Sequence, residues 1–174
     1  AAAAAGLPDG ALAGFAYDEP AMLRRFPALE ELRAALPRTR DVQDCFRLPC
    51  RKSLAWGCHV EALLLWWLHL DAPPACCWVL EDDVGFSGRL AGFLRSYEAD
   101  PTDLICHGLR PAGGDWVWHA VGSPAFLELA APAERWRCQE HVQRFSARLF
   151  RELARSAQAG ACAWSEMSVP TLCR

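Results

Sequence analysis

No two of the nine cysteines stand at Cys-x-x-Cys spacing, which removes the usual framework of a structural zinc site. Nor is there an excess of positive charge. The net charge is −3 and the isoelectric point is near 6.0, so the chain is a poor partner for nucleic acid, whose phosphates attract proteins through accumulated Lys and Arg. A Gly-rich loop of the P-loop type is missing, and with it that class of phosphoryl-transfer site. No apolar run is long enough to span a bilayer. The strongest, Leu54 to Leu70, is interrupted by His59, Glu61 and His69 and reads as a buried helix. The tract Ala1 to Ala5 lacks the basic start of a signal peptide, and residues 1–10 are expected to be disordered. No internal repeat is present. Nine is an odd number of cysteines, so at least one thiol stays out of intramolecular pairing, and the redox compartment stays open.

What is there suits a folded globular chain. Hydrophobic residues make up 52% and charged residues 22% of the 174 positions, enough for one domain with a sizeable core. The chain is read as a single domain over 1–174. Its abrupt close at Cys173-Arg174 also suits a fragment of a longer protein, any membrane attachment then lying in a segment absent from this chain.

Strand and helix signals alternate. Residues 11–18 read as a first strand ending at Asp18, which either caps the next helix or contacts a base or ribose. Glu19 to Leu36 has helical spacing broken by Pro27. Lys52 stands at the start of the apolar helix, either as a solvated cation or as a diphosphate contact. Cys76 to Leu80 is an apolar run after Pro73-Pro74 and predicts a buried strand. Leu90, Phe93, Leu94 and Tyr97 fall at i, i+3, i+4 and i+7, an amphipathic helix. Asp103 to Gly108 predicts another strand, which carries His107. Asp115 to His119 alternates so that Trp116 and Trp118 share a face; each ring is either core or a platform for a sugar. Ala133 to Gln158 is the longest helical pattern, with Val142, Phe145, Leu149 and Leu153 as its buried stripe and Arg144, Arg148, Arg151 and Arg155 as a basic face. Ala161 to Trp164 predicts a last strand, followed by Glu166. This alternation predicts an α/β domain of three layers on a mostly parallel central sheet, with Glu81, Asp83, His107 and Glu166 at strand ends, where such sheets bind ligands.

Chemistry concentrates at Glu81-Asp82-Asp83, directly after the apolar run. Crowded carboxylates repel, and removing them from water costs several kcal/mol by rough reckoning unless cations or donors compensate. Residues two apart on extended backbone point the same way. Glu81 and Asp83 are therefore placed to share a hard divalent cation, Mn²⁺ or Mg²⁺, able to carry phosphate oxygens. The alternative is a solvated acidic turn in which Asp83 or Ser87 caps the following helix.

The stretch Val79-Leu80-Glu81-Asp82-Asp83-Val84-Gly85-Phe86 resembles the acidic motif of GT-A nucleotide-sugar glycosyltransferases, especially the lipopolysaccharide-type and collagen-type sugar transferases. Gly57-Cys58-His59 occupies the place of that family's helix start, without its Ser-His pair. Ser165-Glu166-x-x-Val169-Pro170-Thr171-Leu172 is similar to a segment of branching acetylglucosaminyltransferases in which an acidic residue is the base. The resemblance implies a GT-A-like, Rossmann-like fold and transfer of a sugar from a nucleoside-diphosphate donor to a hydroxyl of a glycan, lipid or protein. It implies a cation on Glu81 and Asp83, Glu166 as general base with Asp115 as another candidate, and substrate contacts from Asp18, Lys52, Asp82, His107, Asp115, Trp116 and Trp118. It also implies the secretory pathway, the Golgi in particular; the residues themselves leave localisation open. An inactive carbohydrate- or nucleotide-binding domain of the same fold is the alternative, and a Mg²⁺-dependent phosphoryl-transfer enzyme a third, disfavoured by the missing phosphate loop.

Overall fold

The computed structural model describes residues 59–68, 70–81 and 84–174. The first strand with Asp18, the helix over 19–36, Lys52, Asp82 and Asp83 all lie outside the described residues.

Within them the order is helix α1 (His59–Leu68), strand β1 (Cys76–Leu80), helix α2 (Leu90–Ser96), strand β2 (Leu104–Pro111), helix α3 (Pro124–Leu129), a 3₁₀ turn (Pro132–Glu134), strand β3 (Trp136–Ser146), helix α4 (Ala147–Gln158) and helix α5 (Ser165–Leu172). Helix α1 buries Val60, Leu63, Leu64 and Trp67, a stripe at helical spacing. Trp67 stacks on Phe150 of α4 at 5.3 Å. Phe145, Phe150, Leu149 and Leu153 complete this core, and burying a side chain of this size contributes roughly 1.5–3 kcal/mol. A smaller core gathers Ala112, Phe126, Ala130, Ala161, Ala163 and Met167.

The described strands form one three-stranded sheet of order β1-β3-β2, antiparallel at both pairings. This overturns the expected mostly parallel, three-layer Rossmann-like sheet. β1 and β2 do run in the same direction, as a strand–helix–strand reading requires, but β3 lies between them and runs against both. All of β3 lies within the span 133–158, where the spacing predicts a single helix. Val142 and Phe145 fit that pattern by spacing alone, yet Phe145 is a fully buried strand residue paired with both Cys77 and Leu104. Helix begins only after Ser146, whose hydroxyl accepts from Leu149 N at 3.0 Å, so one capping serine divides strand from helix. β1, expected to be central, stands at an edge of the described sheet and is half-buried.

The expected basic face dissolves for the same reason. Arg144 is buried on β3 and donates to the carbonyls of Thr102 and Asp100 at 3.2 and 3.0 Å. Arg148 pairs with Asp103, and Arg155 with Glu152. Residues 115–119 are turns, not a strand, with Trp116 N bonded to Gly113 O and His119 N to Trp116 O. The strand expected at 161–164 is reduced to a single bridge, Gly122 to Ala163. Among the described residues no helix is long and apolar enough to cross a membrane.

Candidate functional site

The β2–β3 register jumps from Ile105 opposite Arg144 to His107 opposite Gln139, so residues 140–143 of β3 face Cys106 alone. Bulges of this kind bend a strand and re-aim its side chains. Across the other edge, β1 stays in register with the bulged segment through Leu80 opposite Val142. Glu81 N then donates to His141 O at 3.1 Å. The pairing continues in the side chains, with His141 Nδ1 2.5 Å from Glu81 Oε2. Their side chains are 63% and 38% exposed, and a pair so wet contributes under about 1 kcal/mol to stability. Its effect is to fix the position of two functional groups.

Glu140, the first residue of the bulge, is buried. Ser165 Oγ, at the start of α5, donates to Glu140 Oε2 at 3.0 Å. Glu166 follows in the first turn of α5, where the helix dipole favours a carboxylate. Its carboxyl is nonetheless pushed above the ordinary range. Partial burial is the largest cause, and the neighbouring charges of Glu140 and Glu81 add to it, while a hydrogen bond from the Trp164 side chain and the proximity of His141 pull the other way. Carboxylates from the end of β1, the bulge of β3 and the start of α5 therefore share one electrostatic neighbourhood with an imidazole. A carboxyl raised by desolvation and like charge is the form that serves as a base near neutral pH.

Thr171 holds α5 in place. Thr171 Oγ1 accepts from Trp136 N at 2.9 Å and donates to Trp136 O at 3.2 Å, which pins the helix to the start of β3. Pro170 sits inside the helix and lacks the N–H that would otherwise bond the carbonyl of Glu166, four residues back. Thr171 is thus architectural: it anchors the C-terminal half of the helix whose first turn carries Glu166.

The structure brings Glu81, Glu166 and Trp118 into one neighbourhood. Trp118 stacks on Trp164 with ring centroids 4.1 Å apart and planes 5° off parallel, and Trp164 is the N-cap of α5, whose first turn carries Glu166. His107, Asp115 and Trp116 are placed elsewhere. His107 bonds Gln139 Oε1, at a β3 position that alternates with Glu140 and so faces the other way. Asp115 is exposed in the turn, its carboxylate folded toward Gly113. Trp116 packs on the smaller core beneath the guanidinium of Arg137, 5.2 Å from its ring. Glu140, His141 and Trp164 were missed in the sequence. The first two lay inside the supposed helix, and the alternation of Cys138 and Glu140 with Gln139 and His141 was the signal available. Burial pushes the Cys77 thiol up to about 11 and the Cys162 thiol up to about 12, which makes these two poor nucleophiles.

The described residues do not make up the expected cation site. No three His, Cys, Asp or Glu side chains among them group around one point, and the Glu81 carboxylate is held by His141. Compared with known protein families, curated proteins and solved structures, the chain matches none.

Proposed function

We propose that this chain is a sugar transferase that moves a sugar from a nucleoside-diphosphate donor to an acceptor hydroxyl, with Glu166 as general base. One observation carries the reading. Two carboxylates far apart in the chain, Glu81 of the acidic motif and Glu166 of the Ser-Glu-x-x-x-Pro-Thr-Leu segment, come close enough to raise the Glu166 carboxyl. The motifs resemble parts of sugar transferases independently, and their convergence supports treating them as halves of one site.

In the step so proposed, the Glu166 carboxylate takes the proton of the acceptor hydroxyl as the acceptor oxygen bonds to the anomeric carbon. The bond from that carbon to the diphosphate breaks, and the nucleoside diphosphate leaves with the electron pair. This is an inverting displacement, and the base supplies roughly 10²–10⁴-fold of its rate. Glu140 and Glu81 keep the Glu166 proton affinity high enough for the task.

The test is a screen of nucleotide sugars for thermal stabilisation, since a ligand bound only to the native state raises Tm by mass action. Release of nucleoside diphosphate is then measured for every donor that binds. Binding with turnover supports the transferase. Binding without turnover, for every donor and acceptor tried, favours a nucleotide-sugar-binding module. Failure of all donors to bind defeats the reading.

A further inference from the structure

Arg110 of β2 and Arg137 of β3 stand directly opposite each other in the sheet register. Such partners on antiparallel strands have their Cβ atoms about 4.5–5.5 Å apart on one face, where like charges repel. A guanidinium cannot relieve that repulsion by losing its proton. Neither arginine finds a carboxylate: the ion pairs among the described residues are Glu81–His141, Asp103–Arg148 and Glu152–Arg155. The side chains of Arg135 and Arg144 end on backbone carbonyls, and those of Arg110 and Arg137 do not. Arg137 is half-buried, and its buried Nε–H meets no acceptor among the described residues. An unmet buried donor is uncommon in a folded chain. The Arg137 guanidinium lies over the Trp116 ring, 5.2 Å from its centroid. That contact fixes the cation while leaving its N–H groups unspent. Trp116 is itself anchored, packed on the smaller core with its N bonded to Gly113 O at 3.0 Å. Asp115 of the same turn folds toward Gly113 and pairs with neither arginine.

We infer that Arg110 and Arg137 form an oxyanion site whose ligand is a phosphate dianion, either free or as the monoester of a small organic molecule. One doubly charged group offsets both guanidiniums, whereas a single carboxylate leaves one uncancelled. The forked N–H donors of arginine match the spacing of phosphate oxygens, and the Arg137 Nε–H gains the acceptor it lacks. Trp116 holds one guanidinium in place, and exposed Arg110 closes on the ligand from the neighbouring strand. Arg137 stands about 10 Å before Glu140 on β3, at roughly 3.3 Å per residue. The pair is therefore a second site, and it does not depend on the reading of Glu166 as a base.

The test titrates the full chain with inorganic phosphate and with phenyl phosphate at about pH 8, where a phosphate monoester is doubly charged. Sodium chloride of matched ionic strength is the control. Binding is read by calorimetry and by the ¹H–¹⁵N resonance of Arg137 Nε. The native chain is expected to bind both phosphates saturably and to shift that resonance. Arg110→Gln and Arg137→Gln are each expected to weaken binding about tenfold or more, since a charge-assisted bond is lost. Arg137→Lys keeps the charge without the fork and is expected to bind less tightly than the native chain. Arg151→Gln removes an equal charge from an exposed position of α4 and is expected to bind as the native chain does. Tighter binding of phenyl phosphate assigns the site to a phosphorylated organic molecule, and equal affinity assigns it to free phosphate. Arg110 is exposed, so its variant decides the matter even if Arg137→Gln fails to fold. Absence of saturable phosphate binding overturns the proposal. So does native affinity in Arg110→Gln, or an equal loss in Arg151→Gln.

Discussion

Glu166 and Arg135 are both ionisable side chains drawn away from water, and their partners decide what each one does. Arg135 is buried and satisfied three times over, by the carbonyls of Ala130, His119 and Leu127. It closes the end of α3 and has no reactive role. Arg135→Met keeps much of the volume but strands those carbonyls, and unmet buried groups cost about 1–3 kcal/mol each. A loss of about 3 kcal/mol or more is expected in urea unfolding, and a loss below about 0.5 kcal/mol would contradict this role. Glu166 is held above its ordinary range by partial burial and by the charges of Glu140 and Glu81. The sequence pointed to Glu81 and Glu166 because carboxylates next to apolar runs stand out. Glu140 and His141 were illegible because nothing local marks a bulge, whose register is set by β1 and β2.

At the level of elements, the boundary between β3 and α4 rests on Ser146. Its hydroxyl caps Leu149 N and also meets Asp103 Oδ1 at 2.5 Å. Ser146→Ala is expected to cost about 1–2 kcal/mol, read from the shift of the denaturation midpoint. The attachment of α5 rests on Thr171, and Thr171→Val removes both of its bonds to Trp136 at nearly constant volume. Amide exchange in α5 is expected to accelerate by about tenfold or more, since each such bond is worth roughly 1 kcal/mol. Unchanged exchange would show that the helix is held by packing alone. The strands at Cys76 and Leu104 and the helix after Arg89 were legible from apolar runs and helical spacing. β3 was not, because two apolar residues three apart fit a helix and a bulged strand equally well, and only cross-strand pairing decides between them.

Over the whole molecule, two carboxyls pull stability in opposite directions as pH changes. Asp103 lies below its ordinary range because of the hydrogen bonds from Arg148 and Ser146. Its contribution is present above the unfolded-state value of about 3.9 and is lost as pH falls through the lower folded-state value. Asp103→Asn is therefore expected to flatten the acid loss of stability, measured by unfolding midpoints between about pH 2 and pH 5. Glu166 has the reverse sign. Its folded-state value is raised, so its contribution is complete at low pH and is lost as pH rises through that value.

Glu166→Gln is for that reason the most direct measurement of the account. It removes the charge that burial, Glu140 and Glu81 oppose while keeping the side chain's size. The account predicts that sugar transfer falls by roughly 10²-fold or more with donor binding intact, while Tm at neutral pH rises and the gain disappears at pH values below about 4. A protein that transfers sugar at the native rate, or that loses Tm at neutral pH, would contradict it.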